Sequence, residues 1–349
     1  MSAVDVIVPC YNYGRFLTSC VDSVLSQRDI DVRVLIIDDA SSDNTAAISE
    51  ELASKDARVS FRRHQVNKGL IKTANEGVLE WARAPYNLLL SADDALTPGS
   101  LARAIYVLEQ YPEVGMVYGM GRRIDDGPLP SDVLDAATPT YRILSGSRFL
   151  KKCCEYGNGV PTPTAVVRTR LQQSTGGYCA KFPQTSDMEM WMRIATLSSI
   201  AVIRDTQAYY RWHGENMSKE YFHSKLIILK EHAATCEHVH AEWNSDKTPE
   251  FDLCIKEMKK LLAKDAISAA IVTGDSQEYR NSIVFADEMD PFWRTSVGSL
   301  RLRLKRMLGS TFWRKLRQLK KSFGYSGAWI ASGADVAQLS RTFGWWPTD

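Results

Sequence analysis

Asp38-Asp39 and Asp93-Asp94 each lie at the end of a run of β-forming residues, Leu35-Ile36-Ile37 in one case and Leu88-Leu89-Leu90 in the other. Two ionised side chains side by side at the end of a buried strand are costly unless water, hydrogen bonds or a metal ion stabilise them. Hard cations such as Mg²⁺ and Mn²⁺ take carboxylate oxygens and commonly share their coordination with phosphates. The pattern therefore suits binding of a nucleoside diphosphate. The first pair also has a plainer reading, because Ser42 and Asp43 suit a turn and the N-cap of a following helix. Further on, a helix starting near 186 puts Asp187, Trp191 and Ile194 on one face. Glu189, roughly opposite, pairs naturally with Arg193 four residues later. Glu189 thereby has a structural explanation, whereas Asp187 stands open between capping and chemistry.

These residues need a scaffold that gathers strand ends. Short β-rich runs at Val4–Pro9, Val34–Ile37, Val59–Arg62, Tyr86–Leu90 and Val114–Tyr118 alternate with segments of helical period. The first such segment places Phe16, Leu17, Cys20, Val21, Val24 and Leu25 on one apolar stripe, and others span about 43–54, 70–83 and 99–110. This alternation predicts an open, mostly parallel sheet with helices on both faces, whose ligands sit beyond the carboxyl ends of the strands. From about residue 220 the strand pattern stops. Segments near 221–243, 252–272 and 276–288 read as helices, the last broken by Asp290-Pro291.

Composition narrows the function classes. Lys and Arg number 43 against 41 Asp and Glu, a formal charge of +2, so no global field favours a nucleic-acid partner. Apolar runs fall short of the ~18 residues of a membrane-spanning helix, and the N-terminal residues do not read as a secretory signal. The seven cysteines show no CxxC spacing, which argues against a zinc site or a disulfide framework and for a reduced, cytoplasmic protein. The Gly119–Ile124 stretch fails the dinucleotide-binding glycine pattern, and no Walker A loop is present, so hydride transfer and NTPase chemistry lack support. Cys153-Cys154 reads as a packed pair on a helix. Asn216-Met217-Ser218 is formally a glycosylation sequon.

The motifs, taken in order, resemble those of the family-2 glycosyltransferases with the GT-A nucleotide-sugar-binding fold. They are Val6-Ile7-Val8-Pro9-Cys10-Tyr11-Asn12; Ile37-Asp38-Asp39 through Asn44-Thr45; Asn67-Lys68-Gly69 with Asn75; and Ser91-Ala92-Asp93-Asp94 with Pro98-Gly99. Gly176-Gly177-Tyr178, Asp187-Met188-Glu189-Met190-Trp191 and Tyr210-Arg211-Trp212-His213 complete the series, which covers residues 4–213. The resemblance implies an α/β fold: a Rossmann-like, mostly parallel sheet flanked by helices, followed by a helical C-terminal region. The expected divisions are a catalytic domain over 1–218, a helical region over 219–299 and a basic amphipathic tail over 300–349.

It also implies roles. Pro9, Tyr11 and Asn12 would run along base and ribose, Asp39 would hydrogen-bond the base, and Asn67 would join the nucleotide-sugar site. Asp93 would lie near ribose and diphosphate, and Asp94 would bind the metal, Mn²⁺ or Mg²⁺, with His213 closing over diphosphate or metal. Asp187 would be the base that deprotonates the acceptor hydroxyl. Ser91 and Ser186 stand where many members carry acids. Pro161–Thr164 and Gly176-Gly177 sit where the family shapes its acceptor pocket. The implied reaction is inverting, metal-dependent transfer from a nucleoside-diphosphate sugar, UDP-linked above all, to a hydroxyl of a polysaccharide or a lipid-linked glycan. The rival readings are a degenerate carbohydrate-binding or scaffold protein and a sugar-phosphate nucleotidyltransferase, whose glycine-rich phosphate loop is missing. Arg301–Lys321 carries nine Lys or Arg and no acid among Leu, Phe and Trp residues. Such a segment suits either an anionic membrane surface or packing back on the catalytic domain, and Trp345-Trp346 could anchor to either.

Overall fold

A computed structural model gives the fold, and it describes residues 2–130, 138–216, 225–243, 249–272, 276–295, 300, 303, 342–345 and 347. The basic stretch 300–321 thus lies outside the described residues except for 300 and 303. The chain divides into two compact units. The first comprises residues 1–153, 158–216 and 339–349, the second residues 154–157 and 217–338.

The first unit opens with strictly alternating elements: β1 (Ala3–Cys10), α1 (Gly14–Leu25), β2 (Asp31–Asp38), α2 (Thr45–Lys55) and β3 (Val59–Arg63). Then come α3 (Leu70–Asn75) with a π-helical turn (Glu76–Trp81), β4 (Tyr86–Leu89), β5 (Ala95–Leu96), α4 (Ser100–Gln110) and β6 (Val114–Ile124). The remainder is β7 (Tyr141–Leu144), α5 (Gly146–Tyr156), β8 (Val166–Arg168), α6 (Thr169–Ser174), α7 (Ser186–Leu197) and β9 (Ser199–Arg211). Among its described residues the second unit holds the α-helices α8 (Lys225–Trp243), α9 (Pro249–Val272) and α10 (Ser276–Met289), followed by a 3-10 turn (Trp293–Thr295). A last strand, β10 (Thr342–Phe343), belongs to the first unit.

The sheet runs β3-β2-β1-β4-β8-β6-β9-β5. β1 pairs in parallel with both β2 and β4, and seven of its eight residues are buried. That is why Val4-Asp5-Val6-Ile7-Val8 reads as a continuous apolar run rather than an alternating one. Its one acid, Asp5, is fully buried yet accepts from Nε and Nη2 of Arg33 (2.8 and 2.7 Å) and from the Arg83 and Ala84 amides (2.6 and 2.8 Å). Val4, Val6 and Val8 join Leu17, Cys20, Val21 and Val24 of α1 in the core.

Two features depart from the sequence expectation. The helix expected over 70–83 swells at its end, where Ala82 N donates to Gly77 O, five residues back, at 2.9 Å. The sheet is mixed on its far side: β8 is antiparallel to β4 and β6, and the 13-residue β9 runs parallel to β6 but antiparallel to β5 and β7. β9 has no counterpart among the runs picked out by periodicity, although it delivers two residues of the site. Among the described residues no helix is long and apolar enough to cross a membrane.

Candidate active site

The carboxyl ends of β1, β2 and β4 share one edge: Asp39 N donates to Cys10 O at 2.8 Å, and Leu90 N to Ile7 O at 2.9 Å. The acids beyond them divide sharply by role. Asp38 is fully buried, accepts from Ser41 N at 2.8 Å and pairs with Arg63 at 3.1 Å. Asp43 accepts from Thr45 N and from Gly14 N, each at 3.0 Å, tying the starts of α1 and α2 together. Both therefore hold the loop.

Asp39 is the organising acid of the next loop. Its Oδ1 lies 2.7 Å from His64 Nδ1 and accepts from Lys68 N at 2.8 Å, while Oδ2 accepts from Gly69 N at 2.8 Å. Burial opposes its charge, but these donors outweigh burial and hold the carboxyl below its ordinary range. His64 Nε2 in turn faces Glu76 Oε2 at 2.9 Å. Asn67 Oδ1 also accepts from Gly69 N (2.9 Å), so Asn67 shapes the same loop from an exposed position. Ala40, Arg63, His64 and Gln65 line a recess of about 320 Å³ beside this network. On the other side Asn12, at φ 58°, accepts from Ser42 N (2.8 Å) and donates from its own amide to Ser41 Oγ (2.9 Å). Pro9 is buried next to it, and Tyr11 is 48% exposed.

After β4 the chain turns, with Asp94 N donating to Ser91 O at 3.0 Å, and enters β5, which pairs with the end of β9. That pairing brings Arg211 and His213 back over the acids. Arg211 N donates to Asp94 Oδ1 at 2.9 Å and Arg211 Nε to Asp93 O at 3.0 Å. His213 Nε2 lies 3.0 Å from Asp93 Oδ2. The Glu215 amide donates to His213 Nδ1 (3.3 Å), which leaves Nε2 to carry the proton. The rings of Tyr13 and Phe16 flank the imidazole at 5.2 and 5.0 Å. Asn216 Nδ2 donates to Arg211 O (2.9 Å) and reaches Asp93 Oδ2 (3.3 Å), so the sequon asparagine is buried in the site.

Asp93 and Asp94, adjacent in sequence, differ in what they offer. Asp94 is tied to the Arg211 amide, and burial, then the neighbouring Asp93 charge, push its carboxyl well up. Asp93 has one oxygen on His213 and Asn216, while its Oδ1 is buried with no hydrogen-bond partner. A buried carboxylate oxygen without a donor beside an imidazole fits a divalent cation. The structure thus gathers Asp93 with His213, and turns Asp94 toward β9.

Asp187 belongs to a third cluster. It lies in the first turn of α7, but its carboxylate turns to another segment: Asn158 Nδ2 and Thr162 Oγ1 donate to Oδ2 at 2.7 and 2.8 Å, and Met188 N to Oδ1 at 2.7 Å. Burial is the largest influence and raises its pKa; the three donors only moderate the rise. Glu189 is fully buried and meets Arg193 at 2.6 Å, as the spacing predicts. Arg193 also donates to the carbonyls of Thr175 and Gly177. Gly177, at φ 76°, is required because a Cβ there would stand 2.5 Å from Asn75 Oδ1. Asn75 exchanges two hydrogen bonds with the Tyr178 backbone, which explains the Asn75 and Gly-Gly-Tyr motifs as one joint.

The family model for glycosyl transferase family 2 matches residues 5–165. These residues form a glycosyltransferase family 2 domain. Outside it, similarity runs further along the chain. The chondroitin synthase of Escherichia coli is 27% identical over 229 residues, 65% of this chain and 31% of that protein. An uncharacterised Mycobacterium tuberculosis (strain CDC 1551 / Oshkosh) protein is 27% identical over 208 residues, so this chain spans less than two thirds, 64%, of its length. Among solved structures, Staphylococcus aureus TarS 1–349 in complex with UDP-GlcNAc aligns with a TM-score of 0.53 at 15% identity, covering 84% of this chain and 92% of that one. The Pyrobaculum calidifontis mannosyltransferase in complex with GDP-Man and Mn²⁺ aligns with a TM-score of 0.53 at 16% identity, covering 87% and 86%. At such identity the structures establish the fold, a GT-A α/β architecture.

Several residues of the family 2 domain and its extension escaped the sequence reading. His64 carries no motif, though a histidine directly after an edge strand was a visible signal. Asn158 lies 29 residues before the acid it holds, whereas Thr162 belongs to the Pro161–Thr164 stretch that the resemblance sets at the acceptor pocket, without its bond to Asp187.

Proposed function

We propose that this protein is an inverting glycosyltransferase that moves a sugar from a nucleoside-diphosphate donor, UDP-linked above all, to a hydroxyl of a polysaccharide or lipid-linked glycan. The meeting of Asp93 and His213 at the sheet edge carries this reading, because it supplies a carboxylate oxygen in need of a cation where a diphosphate would lie. Among GT-A neighbours, one is described with UDP-GlcNAc and another with GDP-Man and Mn²⁺, which supports both donor class and metal.

Asp93 would hold the ion, Mn²⁺ or Mg²⁺, through its unpartnered Oδ1, while His213 donates from Nε2 to Oδ2 and fixes the direction of the carboxylate. When bound, the ion offsets negative charge growing on the departing diphosphate. Asp94 then serves by fixing β9, and with it His213, through the Arg211 amide. The recess at Ala40, Arg63 and His64 receives the base, with Asp39 rigidifying its wall and Tyr11 and Asn12 along the ribose. Asp187 takes the acceptor proton; burial raises its pKa, which makes its ionised form a stronger base than a solvated carboxylate. One base opposite one leaving group gives in-line attack with inversion at the anomeric carbon, through an oxocarbenium-like state. The free cysteines support a reducing, cytoplasmic setting.

The test is calorimetric titration with UDP, GDP, dTDP and CDP, each with and without Mn²⁺, followed by release of nucleoside diphosphate from the matching sugar donor. Metal-dependent binding of one nucleotide, with slow donor cleavage lost in Asp187→Asn, is expected. Absence of binding by folded protein would overturn the donor site and leave a scaffold role.

A further inference from the structure

The end of the chain returns to the catalytic unit. β10 pairs antiparallel with β6, Thr342 opposite Arg122 and Phe343 opposite Gly121. Trp345 then donates its amide to Gly159 O at 2.9 Å, and its carbonyl accepts from the buried Tyr118 hydroxyl at 3.0 Å. The receiving surface is cut to fit these two aromatics. A Cβ on Gly121 would stand 2.7 Å from the Phe343 ring, and one on Gly159 would stand 2.8 Å from Trp345 Cβ. Tyr210 meets Phe343 edge to face at 5.4 Å, and Lys152 Nζ sits 5.5 Å from the Trp345 ring centroid.

The segment beneath is the one that serves Asp187. It is fixed at one end by Thr164, whose hydroxyl accepts from Gly119 N at 3.2 Å, and at the other by the Gly159–Trp345 bond. Asn158 and Thr162 lie within this span or directly before it, and both bond the Asp187 carboxylate. Asn158 is exposed, so its direction depends on the backbone that Trp345 holds.

We propose that Phe343 and Trp345 are positioning residues that clamp the 158–164 segment so that Asn158 and Thr162 hold Asp187 in its working orientation. The inference rests on the reading of Asp187 as the base. The clamp links a segment near the end of the chain to the acceptor side of the site. Misplacing a catalytic group by about 1 Å can cost up to ~100-fold in rate.

Hydrogen exchange and turnover on the full-length chain test it together. In Trp345→Ala, exchange of the amides of Val160, Thr162, Thr164 and Ala165 is expected to rise about tenfold, with the 39–45 loop unchanged. Nucleotide release from UDP-GlcNAc with Mn²⁺ should fall about tenfold, with the affinity for UDP within about twofold. Asn158→Ala should produce the same loss, and the double variant no more than either alone, because both act through one carboxylate. Trp345→Phe should restore most of the rate. If Trp345→Ala fails to fold, Gly159→Ala, which crowds Trp345 while leaving the aromatic in place, gives the same readouts. Unchanged exchange in these variants, or losses that add in the double variant, would overturn the clamp. Full turnover in Asp187→Asn would instead overturn the base assignment, leaving the exchange result to decide the clamp.

Discussion

Asp93 and His213 stand 3.0 Å apart through Oδ2 and Nε2, although 120 residues separate them in the chain. β5 and the end of β9 make that meeting possible, and Asp94 locks it by accepting the Arg211 amide. The two acids should therefore respond differently to mutation. Asp93→Ala is expected to weaken Mn²⁺-dependent UDP binding by at least about 100-fold with folding intact. Asp94→Ala should first lower thermal stability, by about 1–3 kcal/mol for the unpaired Arg211 amide, and affect binding through displacement of His213. Calorimetry and thermal unfolding on both variants separate these outcomes; equal loss of metal-dependent binding with equal stability would count against the distinction.

Asp187 carries the pH dependence. Burial raises its pKa above the ordinary carboxylate value, and a base acts only when ionised. The rate should therefore fall as pH is lowered through that raised value, at a higher pH than for a solvated aspartate. Thr162→Val removes a donor to the charged form, so the acidic limb should move to still higher pH. Asp187→Asn should cost about 10²–10⁴ in turnover with UDP affinity retained. A limb unmoved in Thr162→Val would argue that another group sets it.

The Asp39–His64–Glu76 chain predicts acid sensitivity of the fold. Burial raises both carboxyl pKa values, but hydrogen bonds, those from His64 foremost, bring each below its ordinary range. Groups lowered in the folded state stabilise it above their unfolded values, near 3.8 and 4.5, and that contribution is lost as pH falls through the folded ones. Unfolding midpoints measured from pH 7 down to 3 should drop below about pH 4.5. In His64→Leu the protein should be weaker near neutrality by about 1–3 kcal/mol, with a shallower drop in acid.

Glu189 offers a control for Asp187, two residues away on the same helix. Its carboxylate and Arg193 form a buried pair that also ties the Thr175 and Gly177 carbonyls. Glu189→Ala leaves a buried guanidinium without its acid, so a loss of about 3–5 kcal/mol in denaturant unfolding is expected. Asp187→Asn should leave that stability nearly unchanged.

How much of this was legible in the residues follows from the range of the interactions. β1, β2, β3, β4 and the helices between them announce themselves because burial on both faces or one face imposes local periodicity over four to twelve residues. The Glu189–Arg193 pair was readable for the same reason, since four residues span one helical turn. Motif order went further and named Asp39, Asp93, Asp187 and His213. What it did not supply was which of two adjacent acids has an oxygen left over. That is decided by β9, a strand whose partner β5 lies over a hundred residues away in sequence and whose register sets Arg211 against Asp94. The donors to Asp187, the histidine behind Asp39 and the docking of Phe343 and Trp345 on vacated glycines are of the same kind. Sequence alone determined the sheet's parallel half and the acids at its edge. Tertiary packing decided their division of labour, because hydrogen-bond satisfaction of a buried carboxylate depends on groups that only the folded chain brings within 3 Å.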